Sequence, residues 1–113
     1  MIIVEKPWGY EKWVAHCPEY VLKEIFIKKG TKTSLQYHKK KKETLYFFNG
    51  KIQLTVDDYT VTANAGSIVE LLPEQIHQIC ALEDSLLFEV STYHLEDVVR
   101  LKDDYGRAEN ANT

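Results

Sequence analysis

At 113 residues, 44% hydrophobic and 12% aromatic, the chain has the make-up of one globular domain, long enough to bury a core without disulfides. Its net charge of −3, with no basic or acidic half, excludes the electrostatic footprint of a nucleic-acid binder, and no apolar run approaches the ~20 residues of a membrane-spanning helix. The N-terminal MIIVEKPWGYEKW lacks the basic, apolar and small-residue zones of a signal peptide, so the cytoplasm is the expected location.

In chain order, Pro7, Trp8, Gly9 and Trp13 make a short aromatic opening segment, expected to pack as a lid over one end of the core. Tyr20–Lys28 is β-rich, alternates in part and stops at Gly30, and Thr33–Tyr37 reads as a short strand. Glu43–Phe48 follows, and its consecutive Leu45, Tyr46, Phe47 and Phe48 predict burial on both faces. Asn49-Gly50 predicts a two-residue hairpin turn. Ile52, Leu54 and Val56 then alternate with polar residues, Asp57-Asp58 turns the chain, and Tyr59–Ala63 continues it. Ala65-Gly66 is another turn, Ser67–Leu72 a strand stopped by Pro73, and His77–Leu82 and Leu86–Ser91 are two more. Strands recurring about every 8–12 residues, with no competing helical period, predict an all-β sandwich or barrel. Leu95, Val98, Val99 and Leu101 lie among charges in Tyr93–Arg107, which predicts a helical turn or irregular segment, and Ala108–Thr113 is expected to fray.

Gln36 and His38 sit two apart on a strand and so share a face, and Glu43 opens the next strand after a lysine loop. An amide oxygen, an imidazole and a carboxylate are a partial ligand set for a divalent metal, and His77 is the best candidate for the fourth member. Singly, each is more often an ordinary surface or core residue. Together, Gly30, Gln36, His38, Glu43 and Gly50 form one spaced set, and Gly66, Pro73 and His77 another. Cys17 and Cys80 match no zinc or redox spacing and are expected to be free thiols.

These two sets resemble the two motifs of the cupin superfamily, with Gln36 in place of the first histidine of the first motif. SLQYH between Gly30 and Glu43, the opening EKPWGYE, VLKEIFIKKG with Lys23, and EDVVRLKDDYGR near the C-terminus resemble the cupin domain of type II mannose-6-phosphate isomerases, which also ends bifunctional mannose-1-phosphate guanylyltransferases. The chain departs from that pattern in its loop, where Lys40, Lys41 and Leu45 stand at histidine, arginine and tryptophan positions. It departs again in the second motif, where Pro73 is one residue nearer His77, no glycine follows it at the usual place, and Ala81 replaces an asparagine.

The resemblance implies a single jelly-roll (double-stranded β-helix) barrel over residues 1–113, with a core of about 20–92 and with 1–19 and 93–113 packed on it. It implies a metal-dependent aldose–ketose isomerase of sugar phosphates, in nucleotide-sugar or polysaccharide precursor metabolism. One divalent ion would be bound by Gln36, His38, Glu43 and His77: zinc foremost, with manganese, iron, cobalt and nickel also suited. Glu89, Arg100 and Lys23 are the implied catalytic or phosphate-binding groups, and Lys41, Tyr105 and Arg107 the implied substrate contacts. The plainer readings are an edge ion pair for Glu89, a tail anchor for Arg100 and Arg107, and a solvated loop for Lys39–Lys42 rather than a basic gate for an anionic sugar phosphate. Implied partners are a sugar phosphate or nucleotide sugar and a second copy in a homodimer. A non-catalytic metal- or sugar-binding cupin, or one acting on a nucleotide-linked sugar, is the alternative.

Overall fold

The structure, a computed structural model, describes residues 1–103. Tyr105, Arg107 and the Ala108–Thr113 tail lie outside the described residues. Among those described there are eleven strands and no helix: β1 (Ile2–Lys6), β2 (Gly9–Cys17), β3 (Tyr20–Ile27), β4 (Leu35–Tyr37), β5 (Glu43–Asn49), β6 (Lys51–Val56), β7 (Tyr59–Asn64), β8 (Ile68–Leu71), β9 (His77–Ala81), β10 (Ser85–Ser91) and β11 (Val99–Lys102). They form a six-stranded sheet in the order β1-β2-β3-β10-β5-β8 and a five-stranded sheet in the order β11-β4-β9-β6-β7, with all pairs antiparallel. From β3 onward the chain passes back and forth between the sheets, and the inner faces close on one core, as the all-β jelly-roll expectation requires.

The period-2 rule sets which residues reach that core. Val21, Ile25 and Ile27 of β3, Leu45 and Phe47 of β5, Ile52, Leu54 and Val56 of β6, and Leu87 of β10 are buried. Each contributes roughly 1.5–3 kcal/mol by leaving water. The expected two-sided burial of β5 does not occur: Tyr46 and Phe48 are 43% and 54% exposed on the outer face of the larger sheet. Phe48 meets Phe88 there edge to face, with ring centroids 6.0 Å apart.

One turn assignment holds and one changes. Asp57-Asp58 does make a two-residue hairpin, joining Val56 to Tyr59 with Asp57 at φ 52°. Asn49-Gly50 does not: β5 and β6 belong to different sheets, so this turn is a crossover. Asn49 Oδ1 accepts from the Leu86 N–H at 3.0 Å, and Gly50 takes φ 91° where a Cβ would stand 2.2 Å from Ser85 Oγ.

The aromatic opening segment is not a lid but a hairpin, β1–β2, that extends the larger sheet. Its Gly9 passes so near β3 that a Cβ would lie 1.9 Å from the Phe26 carbonyl oxygen, which seats Trp8 in the core. In the tail, residues 92–98 are irregular and Val99–Lys102 pairs with β4 as an edge strand. Cys17 and Cys80 are free thiols.

Candidate metal centre

The inward row of each strand near one end of the barrel carries polar residues in place of apolar ones. Glu43 opens β5, His77 opens β9, and Glu89 lies on β10 directly across from Lys23 of β3. Gln36 is paired in register with His77 on one side and Arg100 on the other. His38 follows β4, and the crossover to β5 brings it back beside Glu43. These side chains line one cavity of about 150 Å³, together with Trp8, Trp13, Glu11, Lys41 and Asp97.

Within it, donor atoms of His38, Glu43 and His77, all buried, lie within 4.8 Å of one another. His38 Nδ1 is 2.5 Å from the Asp97 carbonyl oxygen and His77 Nδ1 is 3.0 Å from that of Gln75. A carbonyl only accepts, so both Nδ1 atoms donate and both Nε2 atoms face inward. His38 Nε2 is 3.2 Å from Glu43 Oε2, which receives no aligned hydrogen bond among the described residues. A lone pair facing a carboxylate oxygen at that distance in a buried site needs a cation between them: a proton on the imidazole or a metal ion. The donor set therefore fits a divalent ion of borderline softness.

The charges follow from the same contacts. Burial pushes the Glu43 carboxyl up, but His38 and Lys41 outweigh it and bring it down to about 2. Burial holds the His77 imidazole below its ordinary range, against the pull of Glu43, so its lone pair is available at neutral pH. Gln36 lies in the same cavity with its Oε1 accepting from Ser34 Oγ at 2.6 Å, so joining the ligand set requires the amide to leave that bond.

Of the residues expected to do chemistry, Glu89 faces the cavity at 5% exposure and Arg100 lines it from β11. Lys23 also faces inward, but it is spoken for: its Nζ is 3.3 Å from Glu11 Oε1 and 4.9 Å from the Trp13 ring centroid. The solvated-loop reading of Lys39–Lys42 holds for three of the four; Lys41 turns in and is 7% exposed. Its Nζ is 2.8 Å from Glu89 Oε2 and 3.3 Å from Glu43 Oε2. Burial pulls the ammonium down, yet the two carboxylates, Glu89 first, hold it above the ordinary lysine range.

Asp97 is a residue that spacing alone did not single out. Its Oδ1 accepts from the Lys39 N–H at 3.0 Å and its Oδ2 from those of Lys40 and Lys41 at 2.7 and 2.9 Å. Burial raises the Asp97 carboxyl, but the three N–H groups together outweigh it and hold it below the usual carboxylate range. That contribution is present above the ordinary value and is lost as pH falls through the lowered one. The available signal was the loop itself, whose successive N–H groups need an acceptor. Asp97→Ala should loosen the loop and the His38 carbonyl contact together, with divalent-metal affinity falling ~10–100-fold by calorimetric titration.

Two closed antiparallel sheets, with a His–Glu–His cluster in the mouth between them, define a cupin. Residues 2–103 match the family described as mannose-6-phosphate isomerase C-terminal, and the chain belongs to that family. It is 30% identical over 111 residues to the alginate biosynthesis protein AlgA of Pseudomonas aeruginosa, a match that takes in 92% of this chain and 23% of that protein. The chain thus spans about a quarter of that relative's length. Among solved structures, KdgF from Halomonas sp. superposes with a TM-score of 0.77 at 19% identity, over 83% of this chain and 87% of that one. An RmlC-like cupin from Shewanella frigidimarina superposes at 0.76 and 17% identity, over 84% and 86%. These likenesses show the fold.

Proposed function

We propose that the chain is a metal-dependent aldose–ketose isomerase of sugar phosphates, of the mannose-6-phosphate isomerase type. The observation that carries this is the convergence of two imidazole nitrogens and the Glu43 carboxylate in one cavity with a second buried carboxylate, Glu89, and the guanidinium-bearing Arg100. The family match supports the reaction class, and the name of the Pseudomonas relative supports a place in polysaccharide precursor metabolism.

His38, Glu43, His77 and a turned Gln36 would hold a divalent ion such as zinc, which would supply Lewis acidity toward a sugar oxygen. The chain's own groups do the rest. Glu89 moves the proton between C1 and C2 of the sugar. Arg100 supplies a guanidinium counter-charge for the developing anion. Lys23, on leaving Glu11, would bind the sugar phosphate together with Tyr105 and Arg107 beyond the described residues. Residues 1–113 act as a single cupin domain, with the cytoplasm as its proposed location. No helix among the described residues is long and apolar enough to cross a membrane. A homodimer is supported by the outer face of the larger sheet, where Tyr46, Phe48, Ile68 and Val90 are exposed and the charges Lys12–Glu24 and Lys42–Glu70 are already paired.

Metal-replete protein should interconvert an aldose phosphate and its ketose isomer, with solvent deuterium appearing at C1 or C2. A screen of hexose and pentose phosphates with no turnover sinks this reading. A non-catalytic metal- or sugar-binding cupin then takes its place, which the engagement of Glu89 by Lys41 and of Lys23 by Glu11 favours. Binding of a nucleotide-linked sugar without isomerisation marks the remaining alternative.

A further inference from the structure

Of the four consecutive lysines 39–42, three face solvent and only Lys41 is folded inward. A buried ammonium is costly unless both sides of it are answered by charge. Lys41 is answered twice, by Glu89 at 2.8 Å and by Glu43 at 3.3 Å. The Glu43 atom involved is Oε2, the same oxygen that lies 3.2 Å from His38 Nε2. One oxygen therefore serves both the ammonium and the metal-ligand cluster. The backbone that delivers Lys41 is fixed, since Asp97 holds the N–H groups of Lys39, Lys40 and Lys41, and so only the side chain is left to move.

We propose that Lys41 is an internal cation that competes with the divalent ion for Glu43, and that Glu89 is the carboxylate onto which it withdraws. This rests on the metal-site reading above. Like charges repel strongly in a low-dielectric cavity, so an ammonium and a metal ion cannot share Glu43 Oε2 at full strength. Glu89 is already the nearer partner, so Lys41 stays paired after it yields Glu43. Without a metal ion the ammonium keeps Glu43 from standing bare in the barrel. With one, part of the binding energy goes into displacing it. The site thus binds its ion more weakly, and folds more stably without it, than the same ligands would with a neutral residue at position 41.

The test is zinc chloride titrated calorimetrically into chelator-stripped wild-type protein and Lys41→Met, with thermal melts of each in zinc and without. Lys41→Met should bind zinc ~10-fold tighter or more. Without zinc it should melt on the order of 10 °C lower, because two buried carboxylates lose their cation. Zinc should then raise its melting temperature by more than it raises that of the wild type. Lys42→Met removes the same charge one residue away, on an exposed pair with Glu70, and should change neither value. If Lys41→Met does not fold without zinc, Lys41→Met/Glu89→Gln removes one of the stranded carboxylates and is measured in the same way. Zinc affinity equal to or below wild type in a folded variant overturns the competition while leaving the metal site standing. Zinc bound by neither protein overturns both.

Discussion

The double variant His38→Ala/His77→Ala is expected to carry no divalent metal while wild-type protein carries about one ion per chain, as read by elemental analysis of purified protein. Each substitution removes an inward Nε2 whose ring is aimed by a backbone carbonyl, Asp97 for His38 and Gln75 for His77. Glu43 alone then remains of the cluster, and its Oε2 is also contacted by the Lys41 ammonium. One carboxylate already neutralised by a lysine is a poor site for a borderline-soft ion, which prefers nitrogen or sulfur donors. The fold should survive, because the apolar core is built from other side chains and neither ring makes the sheet hydrogen bonds. A double variant that still carries a full complement of metal places the ion elsewhere and refutes the site.

How much of this was legible depended on whether the deciding contact was local. Alternation in β6 and the hairpin at Asp57-Asp58 are local, and both appear where the residues put them. Glu43 and His77 were legible too, because strand periodicity aims both inward; His38 lies one residue past β4 and is turned in by the crossover to β5. Asn49-Gly50 carried the correct local signal, a residue at positive φ, yet tertiary packing decides whether the next strand returns to the same sheet or crosses to the other. Tyr46 and Phe48 look like core residues in a short apolar run; only the arrangement of the sheets shows that they face outward. β1 and β2 are partly exposed along most of their length, so their sequence carries little period to read. Lys41 has lysine neighbours on both sides, and it is singled out by Asp97, 56 residues further on, and by Glu89.

At saturating metal, Glu89→Gln and Arg100→Ala should each keep the fold and the ion but lose ~10²–10⁴ in turnover of the aldose phosphate, measured as kcat. The two act on different parts of the same barrier. Glu89 stands on β10 between Lys23 and Leu45, with its carboxylate in the cavity beside Lys41, and an amide of the same shape cannot accept a proton. Its loss should therefore also abolish uptake of solvent deuterium into recovered substrate. Arg100 stands on β11 across from Gln36, where its guanidinium lines the cavity. Its loss should slow turnover while leaving exchange detectable, because the proton acceptor remains. Saturating metal matters for the first variant: with Glu89 neutral, Lys41 keeps only Glu43 as an anionic partner, and weaker metal binding would otherwise imitate a catalytic loss. If Glu89→Gln, fully loaded, turns over at the wild-type rate, the proton is carried by another group and Glu89 is only the partner that holds Lys41.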